Sequence, residues 1–239
     1  MGILAISLLT LIAATIGTIT GFGTSTIMIP VLAIFFPPVE AIFLVSIIHW
    51  FGNIWKITLF RSGFNLRLIV LFGGVGLATS LIGAQLSLGA NEQLLLRLLG
   101  AFLAGYALFL IFQSTFKIPA STLMALSGGA ISGFFAGMFG IGGPIRGLFL
   151  TAFNLPKAVY IATIGAIGLL VDSTRIITYF SGGATLSKEV WYGLLLFVPL
   201  SFLGAQIAKK IVDQTPQKKF RFVIAAFLFL IGVKLIVFP

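Results

Sequence analysis

The sequence predicts an all-α polytopic membrane protein made of two inverted repeats, each a re-entrant or short-helix hairpin plus three transmembrane helices. Three observations lead there. The 239 residues are 59% apolar and 8% charged, too little charge to cover the surface of a soluble protein of this length. Apolar runs near the ~20 residues that span a bilayer recur from end to end. The chain also contains itself twice. At an offset of 119 positions, "GFG" at Gly21–Gly23 falls on "GIG" at Gly140–Gly142, Pro37 on Pro156, Ile42 on Ile161, Ile57 on Ile176, and Ser62-Gly63 on Ser181-Gly182. Further on, at an offset of 121, "SLIGAQ" (Ser80–Gln85) meets "SFLGAQ" (Ser201–Gln206). The shared order of these marks, more than any one of them, indicates duplication. The repeats are residues 1–118 and 119–239, within one membrane domain.

Each half reads alike. A first helix (about 3–20; about 120–138) reaches a glycine break. A short segment follows (about 24–36; about 144–154), too short to cross easily and read as a half-helix returning from a tip. Backbone at such a tip is tolerated only where protein or a water-filled cavity surrounds it. Three long helices complete each half, at about 38–60, 65–87 and 92–114, and at 157–180, 187–209 and 217–238.

Loop charges orient the halves. A hairpin plus three crossings is an odd net number, so the halves are inverted. One side then receives Arg61, Arg67, Lys117, Lys157, Lys209, Lys210, Lys218, Lys219 and Arg221, and the other Arg97, Lys188 and Lys234. The basic side is the cytoplasmic one, which puts both termini outside. The N-terminus lacks a basic n-region, so no cleaved signal peptide is expected.

Composition also excludes functions. No cysteine is present, which removes disulfides and thiolate metal sites. One histidine and five carboxylates leave little for a metal cage or a catalytic dyad, so neither an enzyme nor a cofactor is expected. The net charge of +10 is a topology signal rather than a nucleic-acid footprint, because the basic residues sit between apolar runs. No P-loop pattern is present, which argues against direct use of ATP.

The glycine breaks are the candidate substrate site. Inverted repeats bring two tips to the midplane from opposite faces, each starting a short helix whose free N–H groups attract anions, and secondary transporters place substrate at such discontinuities. The candidate binding residues are Gly21, Gly23, Thr24, Ser25 and Thr26 in the first tip, and Gly140, Gly142, Gly143 and Arg146 in the second. Close helix packing is the competing role for any single glycine.

The stretches "GFGTSTIMIPVL" and "GMFGIGGPIRGLFL", the duplication and the length resemble the TauE/SafE sulfite exporter family of bacterial permeases. The usual run of three glycines is altered here: Thr24-Ser25 stands in the first copy, and Pro144 follows Gly142-Gly143 in the second. The resemblance implies a multi-pass bacterial inner-membrane transporter of sulfite, organosulfonates or related small anions.

Ionisable groups inside a membrane are functional candidates by default. Arg146 offers a forked donor to an oxyanion; its repeat counterpart is Ile27. It is expected to be the only full charge within a turn or two of either tip. Asn53 and Lys56 fall on Asp172 and Arg175. Asp172–Arg175 reads as an internal ion pair, Lys56 as a side chain snorkelling outward, and the two pairs as matched mouths at opposite faces. His49 is a proton relay or a hydrogen-bonded packing residue. Gln85 and Gln206 line the path or bond between helices. His49, Asn53, Gln85, Asp172, Arg175 and Gln206 are thus the pathway or gating candidates.

The expected function is secondary transport of a small anion by alternating access, with an anion channel or a non-transport membrane assembly subunit as alternatives. The partners are the anion, the bilayer, a coupling ion (proton or sodium) and a second copy in a homo-oligomer. Substrate, direction and coupling ion are not encoded in any motif.

Overall fold

The computed structural model describes the chain except residues 62, 113–117 and 212–216, together with the side chains of 217–221 and 223. Ser62 and Lys117 therefore lie outside the described residues, as do the side chains of Lys218, Lys219 and Arg221. The regular structure of the described residues is all helical, without a strand. In order they form α1 (Ile3–Thr20), α2 (Ser25–Leu32), α3 (Pro38–Leu59), α4 (Leu66–Gly89), α5 (Glu92–Phe112), α6 (Thr122–Phe139), α7 (Gly143–Thr151), α8 (Lys157–Ser181), α9 (Lys188–Ile211) and α10 (Gln217–Val237). Seven of them, α1, α3, α4, α5, α6, α8 and α9, are long and apolar enough to cross a membrane.

The short helices stop earlier than the sequence suggests. α2 has 8 residues and α7 has 9, a rise of about 12–14 Å. Neither can cross ~30 Å of hydrocarbon alone. Both stop a few residues before a proline, at Leu32 before Pro37 and at Thr151 before Pro156. Pro37 and Pro156 then open α3 and α8 as N-caps with matching dihedrals, φ −48° and ψ 137° against φ −51° and ψ 141°.

α3 and α8 lie at the centre. They bury 56% and 61% of their most apolar windows, against 33–44% for the other spanning helices. They pack on each other, with Trp50 Nε1 donating to Ser173 Oγ across the interface at 2.9 Å. Around them α1 packs on α9, α4 on α6, and α5 on α10. The α4–α6 contact is backbone on backbone. A Cβ on Gly129, Gly133 or Gly137 of α6 would overlap the main chain of Phe72, Gly76 or Ser80 in α4, the close approach that small residues permit between membrane helices. A π-helical turn at Ile69–Gly73 carries Phe72 at one end of this seam.

Candidate functional site

Both tips are built the same way at their entrance. α1 ends on Gly21 at φ 75° and α6 on Gly140 at φ 72°, left-handed caps that glycine adopts without cost. The first tip ties back on itself: Thr20 Oγ1 accepts from Phe22 N at 3.2 Å, and Gly23 N donates to Gly17 O at 3.1 Å. The two tips then meet. A Cβ on Gly143 would overlap the carbonyl of Phe22, so only glycine lets these backbones touch.

The short helices begin in buried surroundings without side-chain caps. Thr24 and Gly142 are the N-caps, and neither makes a side-chain cap bond. Some other helices carry such caps, as where Ser121 Oγ accepts from Met124 N at 3.2 Å and Asn65 Oδ1 from Leu68 N at 3.0 Å, whereas α1, α3 and α8 do not. Among the described residues the amides of Thr24, Ser25, Gly143 and Ile145 find no acceptor. Buried helix ends left open in this way are unusual, because each orphan N–H costs free energy unless it is paired.

Beside the tips lies a buried charged cluster carried mainly by α3 and α8. Asp172 is its centre. His49 Nδ1 lies 2.7 Å from Asp172 Oδ2, Asn53 Nδ2 donates to the same oxygen at 2.8 Å, and Arg175 Nη2 lies 3.1 Å from Oδ1. That last contact is a charge contact rather than an aligned hydrogen bond. Lys56 Nζ donates to Asn53 Oδ1 at 3.1 Å, and Arg175 Nη1 to Ala136 O at 3.2 Å. Arg146 reaches the cluster from the first turn of α7. Its Nη1 would lie 2.9 Å from a Cβ on Gly168, beside Asn53 Nδ2 at 2.5 Å from the same point.

Four buried polar atoms here have no hydrogen-bond partner, two of them Arg175 Nε and Nη2. Arg146 is 3% exposed and its Nε has no partner; His49 Nε2 has none either. Lys56, Arg146 and Arg175 set three cations against the single carboxylate of Asp172. Burying even paired charge costs several kcal/mol, and an unpaired guanidinium costs more. A bound anion would neutralise this excess.

The structure gathers most of the residues named from the sequence. Gly23 and Thr24 sit by α3: a Cβ on Gly23 would overlap His49 Nε2, and one on Gly52 would lie 3.7 Å from Thr24 Oγ1. Thr26 instead turns its hydroxyl back to Phe22 O at 2.9 Å. Gly21 lies against the Tyr160 ring, and Gly142 against Ser132 O. The Asp172–Arg175 ion pair forms as expected.

Four expectations need correction. Lys56 does not snorkel: it is 1% exposed and bonded to Asn53, because a polar partner one turn back on its own helix lies closer than any headgroup. The Asn53–Lys56 and Asp172–Arg175 pairs are not two separate mouths; Asn53 bonds to Asp172, and the pairs form one cluster. Arg146 is not the only full charge at the tips, since Arg175 Nη1 would lie 3.2 Å from a Cβ on Gly140. Gln85 is exposed and Gln206 only partly buried. In both "GAQ" motifs the glycine and alanine are the buried positions, and no contact joins either glutamine to the cluster. The sequence reading missed Lys56 as a cluster member. Its i,i+3 spacing from Asn53 was the available signal, but α3–α8 pairing is what makes that face internal. Among the described residues no group of His, Cys, Asp or Glu has the makings of a metal site.

The sequence model of one family, described as Sulfite exporter TauE/SafE, matches residues 6–235. The chain belongs to the TauE/SafE family. This TauE/SafE protein is thus a multi-pass membrane protein of a transporter family. A comparison with curated proteins gave no match. What sets this TauE/SafE chain's own chemistry is the two uncapped short helices meeting beside an over-positive buried cluster.

Proposed function

We propose that this chain is a secondary transporter of a small oxyanion, sulfite, an organosulfonate or a related sulfur oxyanion, working by alternating access across a bacterial inner membrane. The anion binds where α2 and α7 begin, at Gly21, Gly23–Thr26, Gly140, Gly142, Gly143 and Arg146. His49, Asn53, Lys56, Asp172 and Arg175 form the wall behind it. The single observation that carries this reading is Arg146: a buried guanidinium with an unpartnered Nε in a cluster whose cations outnumber its carboxylate. The orphan amides of both short helices add partial positive charge at the same place.

The domain reading is two inverted repeats, 1–118 and 119–239. The helix pairings support it. α1 on α9 and α4 on α6 exchange under the repeat, while α3 on α8 and α5 on α10 pair counterparts. The division of loop charge favours inverted over parallel halves, with the basic side cytoplasmic.

The test is anion affinity in purified, monodisperse Arg146→Gln protein, with sulfite, taurine, sulfoacetate, thiosulfate and sulfate as probes. Loss of a charged hydrogen-bond donor removes about 1.5–3 kcal/mol, a ten- to hundredfold drop in affinity. Unchanged affinity there, with affinity lost in Arg175→Gln, would move the site away from the tips. Counterflow from preloaded vesicles separates a carrier from a channel.

A further inference from the structure

We infer that His49 is the proton-coupling residue of this carrier: it takes up a proton at Nε2 together with the anion and gives it up when the anion leaves. The inference rests on the anion site proposed above and assigns its coupling ion.

The geometry fixes the tautomer. Asp172 lies against Arg175 at 3.1 Å and accepts from Asn53 at 2.8 Å, so its carboxylate is ionised and only accepts. His49 Nδ1, 2.7 Å from the same oxygen, must therefore carry the hydrogen. That leaves Nε2 as the free lone pair of a neutral ring. Nε2 is buried and without a partner. It points at the first tip, since a Cβ on Gly23 would overlap it. The next residues along that tip are Thr24 and Ser25, whose amides are open. The one basic lone pair of the cluster is thus aimed at the place where the anion is proposed to arrive.

Charge then links the two events. The groups facing His49 are Asp172 and Arg175 on α8, Asn53 and Lys56 on its own helix, and Arg146 on α7; the first tip brings no titratable side chain. With three cations against one carboxylate, adding a proton to the ring of the empty site places charge where the excess is already positive. An oxyanion at the tips reverses that sign and gives the new Nε2–H an acceptor. Anion and proton each favour the other's binding, and by linkage the coupling is reciprocal. The proton comes from water or from the oxyanion's own O–H, goes to Nε2, and leaves Nδ1–H on Asp172 undisturbed. The N–H formed at Nε2 and the O–H broken in the donor are the only bonds that change.

The experiment measures protons taken up as the purified protein binds sulfite or sulfate, by titration calorimetry in buffers of differing ionisation enthalpy, with sulfite's own ionisation subtracted. Sulfate keeps its charge near neutrality, so its signal belongs to the protein. The expected result is one proton taken up per anion. Affinity should fall about tenfold per pH unit as pH rises, because the bound state holds the extra proton. His49→Gln, or His49→Asn should the first variant not fold, should bind the anion with no proton uptake and a flat pH profile. Wild-type binding without proton uptake overturns the inference and leaves the anion site standing. Undiminished uptake in the His49 variants also overturns it and moves the proton to another group, Lys56 first. Absence of any anion binding in the wild type defeats the site itself, and this inference with it.

Discussion

Asn53 Nδ2 donates to Asp172 Oδ2 at 2.8 Å across 119 positions, the offset at which the two glycine tips align in the sequence. Equivalent positions on α3 and α8 therefore face each other, with an amide meeting a carboxylate. Two aspartates there would repel, and two asparagines would leave Arg175 without a counter-charge.

Asp172→Asn should destabilise the protein by about 3–5 kcal/mol, the cost of leaving a buried partner charge uncompensated. Arg175 is 1% exposed and has no other carboxylate in contact among the described residues. Thermal unfolding in detergent reads this directly. The double variant Asp172→Asn/Arg175→Met should recover much of the loss, and an unchanged melting temperature in the single variant would show that Asp172 does not hold Arg175 in place.

Gly143→Ala should fail to assemble or lose about 1–3 kcal/mol, the range for forcing an extra methyl into a packed contact, because its Cβ meets the Phe22 carbonyl. Gly105→Ala is the control: nothing lies within 4 Å of its Cβ position, and its melting temperature should hold. Equal behaviour of the two variants would mean the tips are not in contact.

Lys56→Met should weaken anion binding about tenfold by removing one of the cluster's excess positive charges. Its melting temperature should fall less than that of Asp172→Asn, since only Asn53 loses a partner. Lys209→Met, at an exposed position, should leave affinity alone. Normal affinity in Lys56→Met would separate this lysine from the substrate.

Phe64→Cys and Lys210→Cys, made one at a time in this cysteine-free chain, should both react with an impermeant thiol reagent from the cytoplasmic side only. Labelling from opposite sides would sink the inverted arrangement.

The helices were legible because membrane solvation writes them as long apolar runs, and the tips because glycine and proline interrupt those runs twice in the same order. Gly21 and Gly140 even share their left-handed dihedrals. The cluster was only half legible. Asp172–Arg175 could be read from i,i+3 spacing within one helix. The His49–Asp172 bond spans 123 positions and depends on which faces of α3 and α8 meet, which hydropathy does not encode when both faces are apolar. Lys56 was misread for the same reason: a lysine near a helix end looks free to reach water until a neighbouring helix encloses it. Gln85 erred the other way. A recurring polar residue suggests a lumen, yet in that motif the buried positions are Gly83 and Ala84.

The contact between the Phe22 carbonyl and Gly143 has a mechanical meaning. No side chain lies between the two tips at that point, so there is no soft layer to absorb movement. Packed atoms resist compression within fractions of an ångström. A shift of the α1–α2 turn toward its neighbour must push the α6–α7 turn along with it, and a load applied at one is delivered at the other. The two turns bear on each other directly, and a substituent as small as one methyl group would wedge them apart.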